Sequence, residues 1–221
     1  MKSRFRALLL DFGAVVSKTP FEVQPLIAKG LGLPKKLLAW RGPLDPATDQ
    51  LWSIMQEGKI SEREYWARRA AEVGRLVNQD WDARAYYVAV CNLVGAAWFR
   101  PEIERLLDDA RAANIKTGVL SNELELFHGR TWMDDVPALK KIDVLIDATH
   151  TKILKPDPRA YRLALDALHV APQETLFVDD QRRNVEGAQM LGIEAVHFDI
   201  RRPAEMVMEL RATLALPTST A

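Results

Sequence analysis

A single cysteine, Cys91, stands among the 221 residues, so no intrachain disulfide can form. Such usage fits a reducing compartment, and a cytoplasmic setting is expected. Cys91 lies in an apolar helical context, which suits a small core residue better than a nucleophile. Excess charge is missing as well. The 30 basic and 30 acidic residues cancel, and no long run of one sign occurs. Neither nucleic acid nor a membrane surface is expected as a partner. No apolar segment has transmembrane length, and no signal peptide with a cleavage site is read at the N-terminus. There is no internal repeat and no low-complexity tract, and Pro217 to Ala221 are expected to form a frayed tail. What is present is a chain with 48% hydrophobic residues, long enough for one large domain or a domain with an insert.

The most informative stretch is Ala7-Leu8-Leu9-Leu10-Asp11-Phe12-Gly13. A continuous apolar run that ends in a turn signal predicts a strand buried on both faces, central in a parallel sheet. Asp11 then stands at its carboxyl end, where open α/β sheets bind ligands. Gly13 is expected to let the chain turn sharply. From about Phe21 to Trp98 the pattern is helical, with a capping box at Ser61 to Glu64. Beyond Pro101 helices alternate with strands expected at 116–120, 142–146, 175–178 and 194–198. Alternation of this kind implies a parallel sheet with right-handed crossovers. The expected fold is therefore α/β, a Rossmann-like parallel sheet with a helical insert after the first strand.

Asp11, Ser121-Asn122, Lys155 and Asp179-Asp180 are read as strand-end groups. Each alone is explained by a turn or a helix cap. Together they match what a phosphomonoester requires. A carboxylate can attack phosphorus, and Asp11 is the candidate nucleophile. A hard cation such as Mg²⁺ takes carboxylate oxygens, which Asp11, Asp179 and Asp180 supply. Ser121 and Asn122 offer short donors to a phosphoryl oxygen, and Lys155 brings a compact positive charge. Three carboxylates at one sheet edge repel, so a cation is expected among them.

These pieces resemble the haloacid dehalogenase-like hydrolase superfamily over nearly the whole chain. The resemblance rests on the Asp11 run, on Gly118-Val119-Leu120-Ser121-Asn122, on Ile153-Leu154-Lys155-Pro156-Asp157-Pro158 and on Val178-Asp179-Asp180 followed by Asn184. The branch with sugar-phosphate phosphatases and the phosphatase domain of soluble epoxide hydrolase looks most similar. The resemblance implies a core at 1–16 and 100–221 and a small helical cap at 17–99. It implies Mg²⁺ as cofactor and a small phosphorylated metabolite as substrate. Asp11 becomes the phosphorylated nucleophile, Ser121 binds the phosphoryl group and Lys155 steadies charge. Asp180, with Asp179 beside it, matches the metal-binding position, and Asn184 supports the loop. Gly13 falls where most phosphatases of the family carry a second aspartate, the general acid and base; only its carbonyl is left to ligate the metal. Three readings stay open: a phosphatase, a metal-free 2-haloacid dehalogenase using Asp11, and a non-catalytic phospholigand- or protein-binding member. The adjacent Asp179 and Asp180 argue against the dehalogenase.

Specificity is expected to lie in the helical insert. Its tryptophans, Trp40, Trp52, Trp66, Trp81 and Trp98, are expected mainly to pack between helices. Trp40 and Arg41 lie in a loop that could reach the site. His128 is expected to be an exposed helix residue.

Overall fold

A computed structural model describes residues 3–217. Of the tail read at 217–221, only Pro217 falls within the described residues. In chain order the regular elements begin with β1 (Ala7–Leu10), α1 (Gln24–Gly30), α2 (Gln50–Gln56), α3 (Glu62–Leu76), α4 (Ala83–Val94) and α5 (Pro101–Ala112). They continue with β2 (Lys116–Ser121), α6 (Leu124–His128), α7 (Arg130–Met133), β3 (Val144–Asp147) and α8 (Ala148–Thr151). The last are α9 (Pro158–Leu168), β4 (Thr175–Asp179), α10 (Arg182–Gln189), β5 (Glu194–His197) and α11 (Pro203–Thr213).

The chain divides into two compact units, one of residues 1–17, 99–125 and 130–221, the other of 18–98 and 126–129. The first holds the sheet, ordered β3-β2-β1-β4-β5 with every pairing parallel. All four residues of β1 are buried, as a central strand covered on both faces requires. Ala7, Leu9, Leu120 and Phe177 form one core face with Tyr161, Leu165 and Leu168 of α9 and Ala188 of α10. Helices α5 and α11 pack together, α5 also meeting β2. The strand order reverses direction between β1 and β4, and an open α/β sheet binds ligands at such a point.

The second unit is helical. Ser61 caps α3 by accepting from the Glu64 amide at 3.1 Å, as the capping-box pattern predicts. Phe21, Trp40, Tyr65 and Trp66 form an aromatic cluster with ring centroids 5.0 to 6.5 Å apart. Trp40 is buried in this packing, as are Trp66 and Trp98. A carboxylate sits within the unit. Asp49, 1% exposed, accepts from the amides of Gly42 and Trp52, the Tyr65 hydroxyl and the Arg69 guanidinium.

His128 departs from expectation: it is buried, not exposed. Gly129, with φ +80°, ends α6 right after it and separates it from α7. The imidazole lies 3.6 Å from the Cys91 thiol and edge-on to Tyr87 and Trp98. Burial pushes His128 from its ordinary 6.5 to about 3 and Cys91 up to about 12. Tyr87 is likewise held neutral by burial, to which the Glu62 charge adds, and Arg84 lies against Gly129.

The sign of the resulting pH dependence follows. A folded state that rejects the proton has its full stability above the unfolded value near 6.5 and loses it as pH falls towards 3. At pH 5 the expected loss is about 2 kcal/mol. Urea unfolding at about pH 7 and about pH 5 checks this: the wild type should lose about 2 kcal/mol more than His128→Gln. Equal losses would remove His128 as the cause.

Candidate active site

Asp11 follows the last residue of β1, its amide donating to the Val178 carbonyl at 2.8 Å, so β4 continues to hold it in line. The chain then turns tightly, and the Ser17 amide closes the turn onto the Phe12 carbonyl at 2.9 Å. The conformational demand of this turn does not fall on Gly13. Gly13 has φ −62° and ψ 137°, open to any residue, while Ala14 takes φ +65°. The buried Arg100 guanidinium holds that strained residue, donating to the Ala14 carbonyl at 3.0 and 3.1 Å. A Cβ added at Gly13 would meet nothing within 4 Å, and the position is exposed.

Lys155 is placed differently from the expectation. It is not at the end of β3 but beyond α8, on the loop that leads to α9. The residue at the end of β3 is Asp147, which the sequence reading passed over. Asp147 accepts from the amides of Leu124, Glu125 and Thr149 and so fixes the start of α6, just past Ser121 and Asn122. Strand β3 itself begins at Val144, two residues later than predicted; Asp143 instead accepts from the Thr117 amide at 2.7 Å.

From that loop the Lys155 ammonium, 4% exposed, reaches Asp11 Oδ1 at 2.8 Å and Asp179 Oδ2 at 2.7 Å. Asn122 was read as a donor to a phosphoryl oxygen. Its amide is used otherwise: Oδ1 accepts from the Lys155 amide at 2.7 Å and Nδ2 donates to the Lys155 carbonyl at 3.2 Å. Asn122 thus clamps the loop that carries the lysine. Ser121, at the end of β2, is buried, with a hydroxyl that has no partner among the described residues.

Asp179 is fully buried at the end of β4. Its Oδ1 accepts from the Gln181 amide at 2.8 Å, and both its oxygens accept from Asn184 Nδ2 at 3.0 and 3.1 Å. With Lys155 on Oδ2, this carboxylate is surrounded by donors. Asp11 is less occupied. Its Oδ1 accepts from the Phe12 amide at 2.7 Å and faces Lys155, while Oδ2 makes no hydrogen bond with the described residues.

Carboxylate atoms of Asp11, Asp179 and Asp180 lie within 4.8 Å of one another. One ammonium cannot neutralise this group. Burial pushes the Asp11 carboxyl up to about 7 against the pull of Lys155, and the Asp179 charge adds to the rise. Burial alone would lower Lys155, but the two carboxylates hold it above the usual lysine range. The donor set is all oxygen, as a hard divalent cation prefers. The buried Oδ1 of Asn184, beside this group, has no hydrogen-bond partner among the described residues. Both features fit a cation.

A family model for haloacid dehalogenase-like hydrolases matches residues 23–192, and the chain belongs to that hydrolase family. Among curated proteins, acyl-CoA dehydrogenase family member 10 of Mus musculus is 26% identical over 96% of this chain, which spans 19% of that protein. Phosphatase MT3486 of Mycobacterium tuberculosis is 34% identical over 45% of this chain and 46% of its own length. The chain thus spans less than half of either relative. The solved structure of a HAD phosphatase from Thermococcus onnurineus shares the fold. Its TM-score is 0.57 at 20% identity, covering 97% of this chain and 98% of that one. No helix of the described residues is long and apolar enough to cross a membrane.

Proposed function

We propose that the chain is a Mg²⁺-dependent phosphatase that acts on a small phosphomonoester through a phosphoryl group carried transiently on Asp11. The observation that carries this reading is the convergence of three carboxylates, two of them paired with one buried lysine, at the switch point of the sheet. The phosphatases among its relatives support it. Asp11 and Asp180 would hold the cation, with the Gly13 carbonyl and Asn184 as support and Asp179 fixed beside them. The cation would offset charge on the phosphoryl oxygens.

The chain's own groups divide the remaining work. Asp11 attacks through the oxygen that makes no hydrogen bond. Ser121 offers its unpartnered hydroxyl to the phosphoryl group. Lys155 fixes the Asp11 carboxylate and adds positive charge from a buried position. Asn122 and Asp147 position the two loops. Selection of the substrate is assigned to the helical unit, and sugar phosphates are the first compounds to try. A buried single cysteine suits a reducing cytoplasm.

The test is phosphate release from p-nitrophenyl phosphate and sugar phosphates, with Mg²⁺ and with a chelator. Both chelation and Asp11→Asn should reduce turnover at least about a thousandfold, the scale on which loss of a covalent nucleophile acts. Undiminished turnover by Asp11→Asn would sink the proposal. Gly13 favours a second reading, because halide leaves carbon without a proton. Halide release from 2-haloacids in chelator, with no phosphate release, would establish it.

A further inference from the structure

The position after the nucleophilic turn holds no proton donor. Gly13 has no side chain, and no atom beyond its chain neighbours lies within 4 Å of the place where a Cβ would stand. Four side chains of the α/β unit that could donate a proton are already engaged. Lys155 is locked between Asp11 and Asp179. The Tyr161 hydroxyl donates to the Asn184 carbonyl. His197 is bound to the Asp180 carbonyl at 2.8 Å and His150 to Glu125 at 2.8 Å.

Nor is the gap forced by the backbone. The strained residue of the turn is Ala14, and Gly13 has dihedrals that any side chain accepts. A Cβ at 13 meets nothing within 4 Å and needs no strained backbone. The α/β unit therefore retains the groups that stabilise a phosphoryl group and attack it, and holds no side chain at 13 to protonate what departs.

We infer that the substrates are phosphorylated compounds whose leaving group departs as a stable anion: acyl phosphates, aryl and enol phosphates, and phosphoanhydrides. This rests on the phosphatase reading and moves the substrate class away from alkyl sugar phosphates. In the first step an Asp11 oxygen forms a bond to phosphorus as the bond from phosphorus to the leaving oxygen breaks. The electron pair stays on that oxygen, which leaves as a carboxylate, phenolate, enolate or phosphate and takes no proton from the protein. In the second step water attacks the phosphorus of the aspartyl phosphate. The electron pair of the broken bond returns to Asp11, and the water proton passes to solvent. An alkoxide, by contrast, would have to leave against a pKa far above that of any of these groups.

The experiment compares kcat/KM for acetyl phosphate, dinitrophenyl phosphate, phenyl phosphate and glycerol phosphate, with Mg²⁺ present. Wild type should fall at least about a hundredfold from the first two to glycerol phosphate, the lower end of what a general acid supplies. Gly13→Asp should raise kcat/KM for glycerol phosphate about a hundredfold relative to that for acetyl phosphate. Gly13→Asn has the same shape without the proton and should keep the steep dependence; its unfolding curve verifies that the turn tolerates a side chain. A flat dependence in wild type would mean that a donor is supplied from elsewhere; it overturns the inference and leaves the phosphatase standing. A Gly13→Asp variant that folds and stays steep also overturns it. If no compound, acetyl phosphate included, releases phosphate or leaves a phosphoryl group on Asp11 by intact mass, the phosphatase reading fails and the inference with it.

Discussion

Lys155→Ala is expected to lower both phosphate release and stability. Lys155 is the one ammonium between Asp11 and Asp179, at 2.8 and 2.7 Å, and it is almost wholly buried. Removing it leaves two carboxylates facing each other, with Asp180 close by, and breaking a buried ion pair on one side costs about 3–5 kcal/mol. Part of that loss is recovered when Asp11 takes a proton, because its carboxyl is already pushed up to about 7 with the lysine in place. The loss should therefore shrink at lower pH and on addition of Mg²⁺, which replaces the missing charge. Turnover should fall about a hundredfold or more even where Mg²⁺ restores the fold, as when a preorganised charge is lost from a transition state. Urea midpoints at two pH values and phosphate release are the readouts. A variant within about 1 kcal/mol of wild type would show that the carboxylates are not held by this lysine.

The parts of the site that the sequence reveals are those where local pattern and position coincide. Asp11, Ser121 and Asp179 each end an apolar run, and each stands at the end of a parallel strand. A short buried strand announces itself by composition, and its last residue is therefore easy to place. Lys155 shows where that logic stops. It follows β3 in sequence, so the pattern puts it at the end of that strand, yet it reaches the site from the far side of α8. Only the tertiary return of the loop, clamped by Asn122, brings it there. That same clamp gives Asn122 a role the pattern does not show: a polar side chain after a strand looks the same whether it faces ligand or backbone.

The turn after Asp11 is more instructive. A glycine two residues past a nucleophile invites the reading that the backbone needs it. The positive φ lies instead at Ala14, a residue type that carries no such signal, and the support comes from Arg100, eighty-six positions along the chain. Once Gly13 is freed of a structural duty, its lack of a side chain becomes a chemical property of the site. His128 was misplaced for a related reason. Its sequence neighbours are mixed, and its burial depends on Tyr87, Cys91 and Trp98, which no local pattern connects to it.

In the helical unit the largest effect is expected from Asp49→Ala. The sequence shows an acidic residue within the stretch from about Phe21 to Trp98 that reads as helical; in the structure it ends one turn and caps the next. Its carboxylate accepts from Trp52 and Gly42 at 2.9 and 3.1 Å, from the Tyr65 hydroxyl at 2.7 Å and from Arg69. Burial and this acceptor keep the Tyr65 hydroxyl protonated far above its ordinary range. The truncation would strand a partly buried guanidinium, a buried hydroxyl and two amides at once, beside Trp40, over which Arg69 stacks at 5.0 Å. The expected cost is about 3–5 kcal/mol, comparable with the whole stability of a small domain. Asp49→Asn keeps the shape but has one acceptor oxygen where the carboxylate has two, so it retains only one of the two backbone amides, on Oδ1 or Oδ2, and lacks the charge; it should cost less than Asp49→Ala. Urea unfolding followed by tryptophan fluorescence reads this unit directly, since Trp40, Trp52, Trp66, Trp81 and Trp98 all lie within it. If Asp49→Ala unfolds at the wild-type midpoint, Arg69 and Tyr65 have found other partners, and the aromatic cluster holds the unit without the carboxylate.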